Sequence, residues 1–172
     1  MLYKFFIFVE GSNDTKFFKK ILKNFDSDFF EIIKIIEWAS KTNEEINNFL
    51  KTISQVANFD YLFFADMDDF PCITSKKTKL KERYSEIDIQ KILIVIKEIE
   101  SWYLAGLDKN SSKKLSIKHQ KETNNITKEM FEELKPNKIL YLDILEYFSI
   151  ETAIQKNNSF KYFKESFDII DK

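Results

Sequence analysis

Four short apolar runs stand out along the N-terminal part of the chain, and between them apolar residues return every three or four positions. Tyr3–Val9 (YKFFIFV) has the length and β-prone content of a strand buried on both faces. Glu10-Gly11-Ser12-Asn13 ends it. Phe17, Phe18, Ile21, Leu22 and Phe25 then repeat at helical spacing among Lys16, Lys19, Lys20 and Lys23, with Ser12 or Asn13 placed to cap the helix. Glu31–Glu37 reads as a second strand. Thr42-Asn43-Glu44-Glu45 is a capping-box pattern, and it opens a helix with Ile46, Phe49, Leu50, Ile53 and Val56 on its apolar face. Tyr61–Ala65 reads as a third strand and runs into Asp66-Met67-Asp68-Asp69. Leu80, Tyr84 and Ile87 mark a helix over Ser75–Glu86, Lys91–Ile96 a fourth strand, and Ile99–Leu107 a short helix with Trp102 and Tyr103 on its apolar side. This alternation predicts an α/β fold, with a parallel sheet of about four strands flanked by helices and joined by right-handed crossovers.

Beyond Leu107 the pattern changes. Asp108–Asn125 is polar and lysine-rich and reads as a long loop. From Thr127 onward the apolar positions are helical: Met130, Phe131 and Leu134, then Leu140, Ile144, Tyr147 and Phe148, then Phe160, Phe163 and Phe167. The expected organisation is an α/β core over residues 1–107, with residues 108–172 forming a loop and a helical extension packed on the same domain.

Composition narrows the function classes. Of 172 residues, 44% are hydrophobic and 16% aromatic, too many for a disordered chain. The net charge of −1 argues against a bulk binder of nucleic acid. The single cysteine, Cys72, excludes a disulfide framework and a cysteine-based zinc site. Met1–Val9 is apolar but short and is followed by Glu10 and Asp14, and no apolar run approaches the ~18–20 residues of a membrane span, so a cytoplasmic protein without a membrane partner is expected. Only two glycines occur, Gly11 and Gly106, where average usage gives roughly twelve.

Candidate chemistry lies in acids at the ends of the strands, because ligands of open α/β sheets bind beyond the carboxyl ends of the strands. Glu10 follows the first strand, and Asp66 and Asp68 follow the third. If the chain stays extended there, residues i and i+2 point to one face and the two aspartates converge. A hard cation such as Mg²⁺ relieves their repulsion. Gly11 allows a sharp turn after Glu10 and leaves room for a phosphate beside the next helix. Asp-x-Asp alone is expected about 0.8 times by chance in such a chain, but Glu-Gly-x-x-Asp only about 0.01 times. Two basic clusters, Lys76, Lys77, Lys79, Lys81 and Arg83, then Lys113, Lys114, Lys118 and Lys121, are candidates for contacts to a nucleic-acid backbone. Plainer readings stand beside these: a capped turn for Glu10 and Asp14, a solvated acidic loop for Asp66, Asp68 and Asp69, and solvated faces for the lysines. Neither His119 nor Cys72 has a partner in the sequence that assigns it a role.

Val9-Glu10-Gly11-Ser12-Asn13-Asp14 followed by Asp66-Met67-Asp68 resembles the Toprim domain, shared by topoisomerases, primases of the DnaG type, OLD-family nucleases and small RNA-maturation nucleases. The resemblance implies that Glu10 is a general acid or base and that Asp66 and Asp68, with Asp69, hold Mg²⁺ or Mn²⁺. Glu98-Ile99-Glu100-Ser101-Trp102-Tyr103-Leu104-Ala105 and the Ala153…Asn158-Ser159-Phe160…Phe163 stretch are similar to the RloB-like group of bacterial defence and mobile-element loci, which adds Glu100 to the acidic set. No glycine follows the Asp-x-Asp, no arginine lies near either motif, and a chain this short has no room for a topoisomerase's tyrosine domain. The resemblance thus implies a metal-dependent endonuclease acting on DNA or RNA. A second possibility is a partner-dependent or non-catalytic module working with a separate ATPase, since the chain has no Gly-x4-Gly-Lys-Ser/Thr. A third is an Asp-x-Asp phosphatase of the haloacid-dehalogenase kind, against which stand Phe70 and the earlier Glu-Gly strand end.

Overall fold

Each of the four apolar runs becomes a strand in the computed structural model, which describes residues 3–24 and 30–170: β1 (Tyr3–Val9), β2 (Phe30–Glu37), β3 (Phe59–Asp66) and β4 (Ile92–Val95). All pair in parallel, in the order β2-β1-β3-β4. Between them lie α1 (Ser12–Ile21), α2 (Asn43–Ser54) and α3 (Ile73–Arg83). Phe25, expected on α1, lies outside the described residues. The period of two sends the residues of each strand to two layers. Phe5, Ile7, Val9, Leu62, Phe64, Leu93 and Val95 join Phe17, Phe18 and Ile21 of α1 on one face. Phe6, Phe8, Tyr61, Phe63, Ile92 and Ile94 join Ile46, Leu50 and Ile53 of α2 and Leu80 of α3 on the other. The chain steps from β1 outward to β2 over the first face, then back past β1 to β3 and on to β4 over the second. Direction and face reverse together, so the three crossovers share one hand. The reversal leaves a switch point between the carboxyl ends of β1 and β3.

The Thr42 capping box forms as the sequence predicts: Thr42 Oγ1 accepts from the Glu45 amide at 3.2 Å, and Glu45 accepts from the Thr42 amide at 2.8 Å. Other boundaries move. Val56 falls beyond α2, and Phe49 is 41% exposed, on the rim of α2's apolar face. Neither Ser12 nor Asn13 caps α1. Both are already helical, and Gly11 occupies the cap position with its amide donating to Asp14 Oδ2 at 3.2 Å.

The stretch expected as a long loop is partly helical and partly core. Its polar residues include a helix cap: Asp108 accepts from the Ser111 amide at 2.7 Å and opens α5 (Lys109–Lys114) after α4 (Glu100–Ala105). Leu115, Ile117 and Thr123 beyond it are buried. Then come α6 (Lys128–Leu134), α7 (Tyr141–Leu145), α8 (Ile150–Lys156) and α9 (Asn158–Ile170). Phe131, Ile144, Phe160, Phe163 and Phe167 from these helices share one apolar cluster with β1, β3 and β4. Trp102 stacks on Phe163 at 5.5 Å between centroids, and Phe163 meets Phe64 of β3 at 5.4 Å. A buried polar knot fastens the join. Asn157 donates to Thr123 Oγ1 at 3.1 Å and accepts from Ser159 Oγ at 2.8 Å, while Trp102 Nε1 donates to Ser159 Oγ at 2.8 Å. Among the described residues no helix is long and apolar enough to cross a membrane.

Candidate active site

Two strand ends build the site. β1 ends at Val9, so Glu10 emerges at the switch point; β3 carries Asp66 to the same level as its last residue. Alternation takes Glu10 toward the α3 layer, where its charged neighbours are Asp68, Lys76 and Arg83, and takes Asp66 toward α1 and α4, where they are Asp14, Glu98 and Glu100. All six acids and Lys128 line one cleft of about 300 Å³, together with Gly11, Ser12, Asn13 and Ile99. Gly11 has φ −151°, ordinary extended backbone, so no sharp turn calls for a glycine there. A Cβ at Gly11 would meet only Asp14 Oδ2, at 4.0 Å; what the glycine provides is open space over the cleft.

The acids are crowded and partly dry. Burial above all, then the charges of Asp14, Glu10, Glu100 and Glu98, pushes the Asp66 carboxyl up to about 9. Asp14, 6% exposed, is pushed up to about 7 by burial, against the pull of its own amide and that of Gly11. Glu10 is raised by burial and by Asp68, with the Asp66 amide, Lys76 and Arg83 opposing. Glu10 Oε2 and Asp66 Oδ1 are buried with no hydrogen-bond partner, a state that costs free energy unless a ligand or a proton relieves it. Glu100, 3% exposed at the start of α4, accepts at Oε1 from Asn13 Nδ2 at 3.2 Å and from the Tyr141 hydroxyl at 3.1 Å. The single hydroxyl proton of Tyr141 also faces Glu132 Oε1, at 2.9 Å, so it serves one carboxylate at a time.

An all-oxygen donor set with orphaned carboxylate atoms suits a hard divalent cation. As they stand, however, no three acidic, histidine or cysteine side chains among the described residues are gathered closely enough to hold a metal ion. Asp68 is the departure from the expected geometry. Its φ of 47° breaks the extended run that the i, i+2 argument needs, and its carboxylate pairs with Lys76. Asp69 is exposed and lines a neighbouring cleft with Lys97, Glu98, Thr127 and Glu129.

The basic clusters lie largely elsewhere. Lys77 donates to the Ile89 carbonyl, Lys79 pairs with Glu82, and Lys81 donates to the Ser85 and Ile87 carbonyls. Arg83 donates to Asn43 Oδ1 and lies over the Trp38 and Tyr84 rings. In α5, Lys113 is exposed and Lys114 lies over Tyr147; neither lines the acidic cleft. Of these, only Lys76 pairs with an acid of the cleft, while Arg83 acts on Glu10 through its charge. Asp14, Glu98, Asn13, Tyr141 and Lys128 are the site residues that strand-end reasoning passed over. Asp14 enters the sequence reading only as the last member of the Glu-Gly-x-x-Asp pattern, without a role; Glu98 stands two residues before Glu100, a spacing that could have flagged it, and Tyr141 and Lys128 carry no local signal. No family model matches the chain, and neither curated proteins nor solved structures yield a match.

Proposed function

We propose that this chain is a Toprim-type nuclease: a hydrolase of nucleic-acid phosphodiester bonds that depends on Mg²⁺ or Mn²⁺ and works in the cytoplasm, in phage defence or on a mobile element. The observation that carries the reading is the pair of strand-end carboxylates, Glu10 and Asp66, each with a buried oxygen lacking a partner, on either side of the switch point. Asp66 is the residue to hold the cation, with Asp68 and Glu100 as further donors. When bound, the cation would acidify a water and offset charge on the phosphate. Glu10, raised by its surroundings, is suited to take a proton and return it to the leaving oxygen. Asn13 and Tyr141 fix the orientation of Glu100. Lys97 and Lys128 stand exposed on the rims of the two adjoining clefts and make no ion pair among the described residues. They supply the cationic contacts that a polyphosphate strand needs beside so many acids.

The test is incubation of purified protein with plasmid DNA and with structured RNA in Mg²⁺ or Mn²⁺, against EDTA and a Glu10→Gln/Asp66→Asn double variant. Metal-dependent cleavage lost in the variant supports the reading and identifies the substrate. One observation favours a second reading, a module active only with a separate ATPase: Asp68 is engaged by Lys76, so the acids are not gathered. Metal binding without cleavage by the isolated chain would favour that alternative.

A further inference from the structure

The pairing of Asp68 with Lys76 explains more than a local turn. Lys76 comes from α3 and is only 7% exposed, and its ammonium lies 4.9 Å from the centre of the Phe70 ring besides contacting Asp68 Oδ2. A buried ammonium needs a counter-charge, and Asp68 is the carboxylate it pairs with among the described residues. Asp68 makes this pair from the left-handed region, at φ 47°, where a residue with a Cβ is disfavoured. The segment from Met67 to Phe70 is thus wrapped around an internal cation. The same contact engages one acid of the cleft, while Glu10 and Asp66 keep unpartnered oxygens and no set of three is gathered among the described residues.

We propose that Lys76 is a positioning residue that holds Asp68 in reserve, so that a divalent cation gathers the full carboxylate set only by displacing the Lys76 ammonium from Asp68. This rests on the reading of the cleft as a divalent-cation site. Displacement exchanges one positive partner of Asp68 for another and frees the lysine beside the cleft, where a phosphodiester would meet it. Cation and anionic substrate therefore favour the same rearrangement, and each should strengthen binding of the other.

The experiment is a titration with Mn²⁺, followed by the spectroscopic signal of the free ion, on the full chain and on Lys76→Met, Asp68→Asn and the double variant, each checked by a melting curve. Methionine keeps the apolar stem against Phe70 and removes the charge. Relief from a charge-assisted hydrogen bond predicts Mn²⁺ binding about tenfold to a hundredfold tighter in Lys76→Met. The double variant should lose that gain, because the gain acts through Asp68. Equal or weaker binding in Lys76→Met overturns the proposal and leaves the cation site standing. Absence of Mn²⁺ binding in every variant overturns both. If Lys76→Met does not fold, Lys76→Gln, which keeps a polar donor beside Asp68 without the charge, is read in the same way: tighter Mn²⁺ binding that is lost with Asp68→Asn supports the proposal, and equal or weaker binding overturns it.

Discussion

Neutralising Asp66 should stabilise the protein, although it removes a proposed functional group. Burial and four neighbouring acids raise this carboxyl from its ordinary 3.8 to about 9 in the folded chain. As pH rises through 3.8 the unfolded chain releases the proton while the folded chain keeps it. Stability therefore falls steadily from about pH 4 to about pH 9. At pH 7 the gap of roughly three pH units, at about 1.4 kcal/mol each, sets a ceiling near 4 kcal/mol. The cleft is open to water, which relaxes part of this, so Asp66→Asn should gain about 2–4 kcal/mol at pH 7–8. For a chain of this size that is a rise in Tm of roughly 5–15 °C. The assay is thermal or urea unfolding of both proteins in EDTA from pH 4 to pH 9. The two curves should converge near pH 4 and separate as pH rises, and Mg²⁺ should close the gap by stabilising the wild type alone. If Asp66→Asn melts at or below the wild type at pH 8, Asp66 is an ordinary solvated carboxylate and the electrostatic account of the cleft is wrong.

Lys97→Ala/Lys128→Ala should lower the slope of log K against log salt for duplex DNA by about 2, near 0.9 per phosphate contact, and Lys113→Ala/Lys114→Ala should leave it unchanged; fluorescence anisotropy over a salt series decides between them. Tyr141→Phe frees Glu100 from one of its two donors, so single-turnover cleavage should slow about tenfold with nucleic-acid affinity retained; an unchanged rate removes Tyr141 from the site. Gly106→Ala should cost about 3 kcal/mol in chemical denaturation, because the added Cβ would lie 2.2 Å from the Phe148 ring, which is itself packed against Phe17 and Phe160.

The sheet was legible because its strands are strongly apolar and short, and β1 was read to the residue. Helix ends were less so. Gly11 displaced Ser12 and Asn13 as the cap because Asp14 reaches back to its amide, a tertiary-neutral choice that composition does not reveal. The loop after Leu107 misled because α5 is polar by sequence, while Leu115, Ile117 and Thr123 are buried only through contacts made far along the chain. In the site, Glu10 and Asp66 follow from strand ends, as position along a strand is a local property, whereas Glu100, at the start of α4, came only from the resemblance. The orientation of Asp68 does not follow, since it is decided by a lysine on the next helix. The same holds for the lysine clusters: sequence shows that cations are close together but not that carbonyls, Glu82 and Asn43 occupy them.

The contact between Phe5 of β1 and Phe167 of α9, at 5.8 Å between ring centres, has a consequence for the chain as it is made. The face of the sheet that carries Phe5 is finished by a helix synthesised long after the strand. At about 5–20 residues per second, the roughly 160 intervening residues take on the order of 8–32 s to appear. Throughout that interval α1 covers part of this face, and the part that α9 closes has no permanent cover. The nascent protein must be shielded by something else, and a product broken off before α9 would emerge adhesive rather than merely inactive.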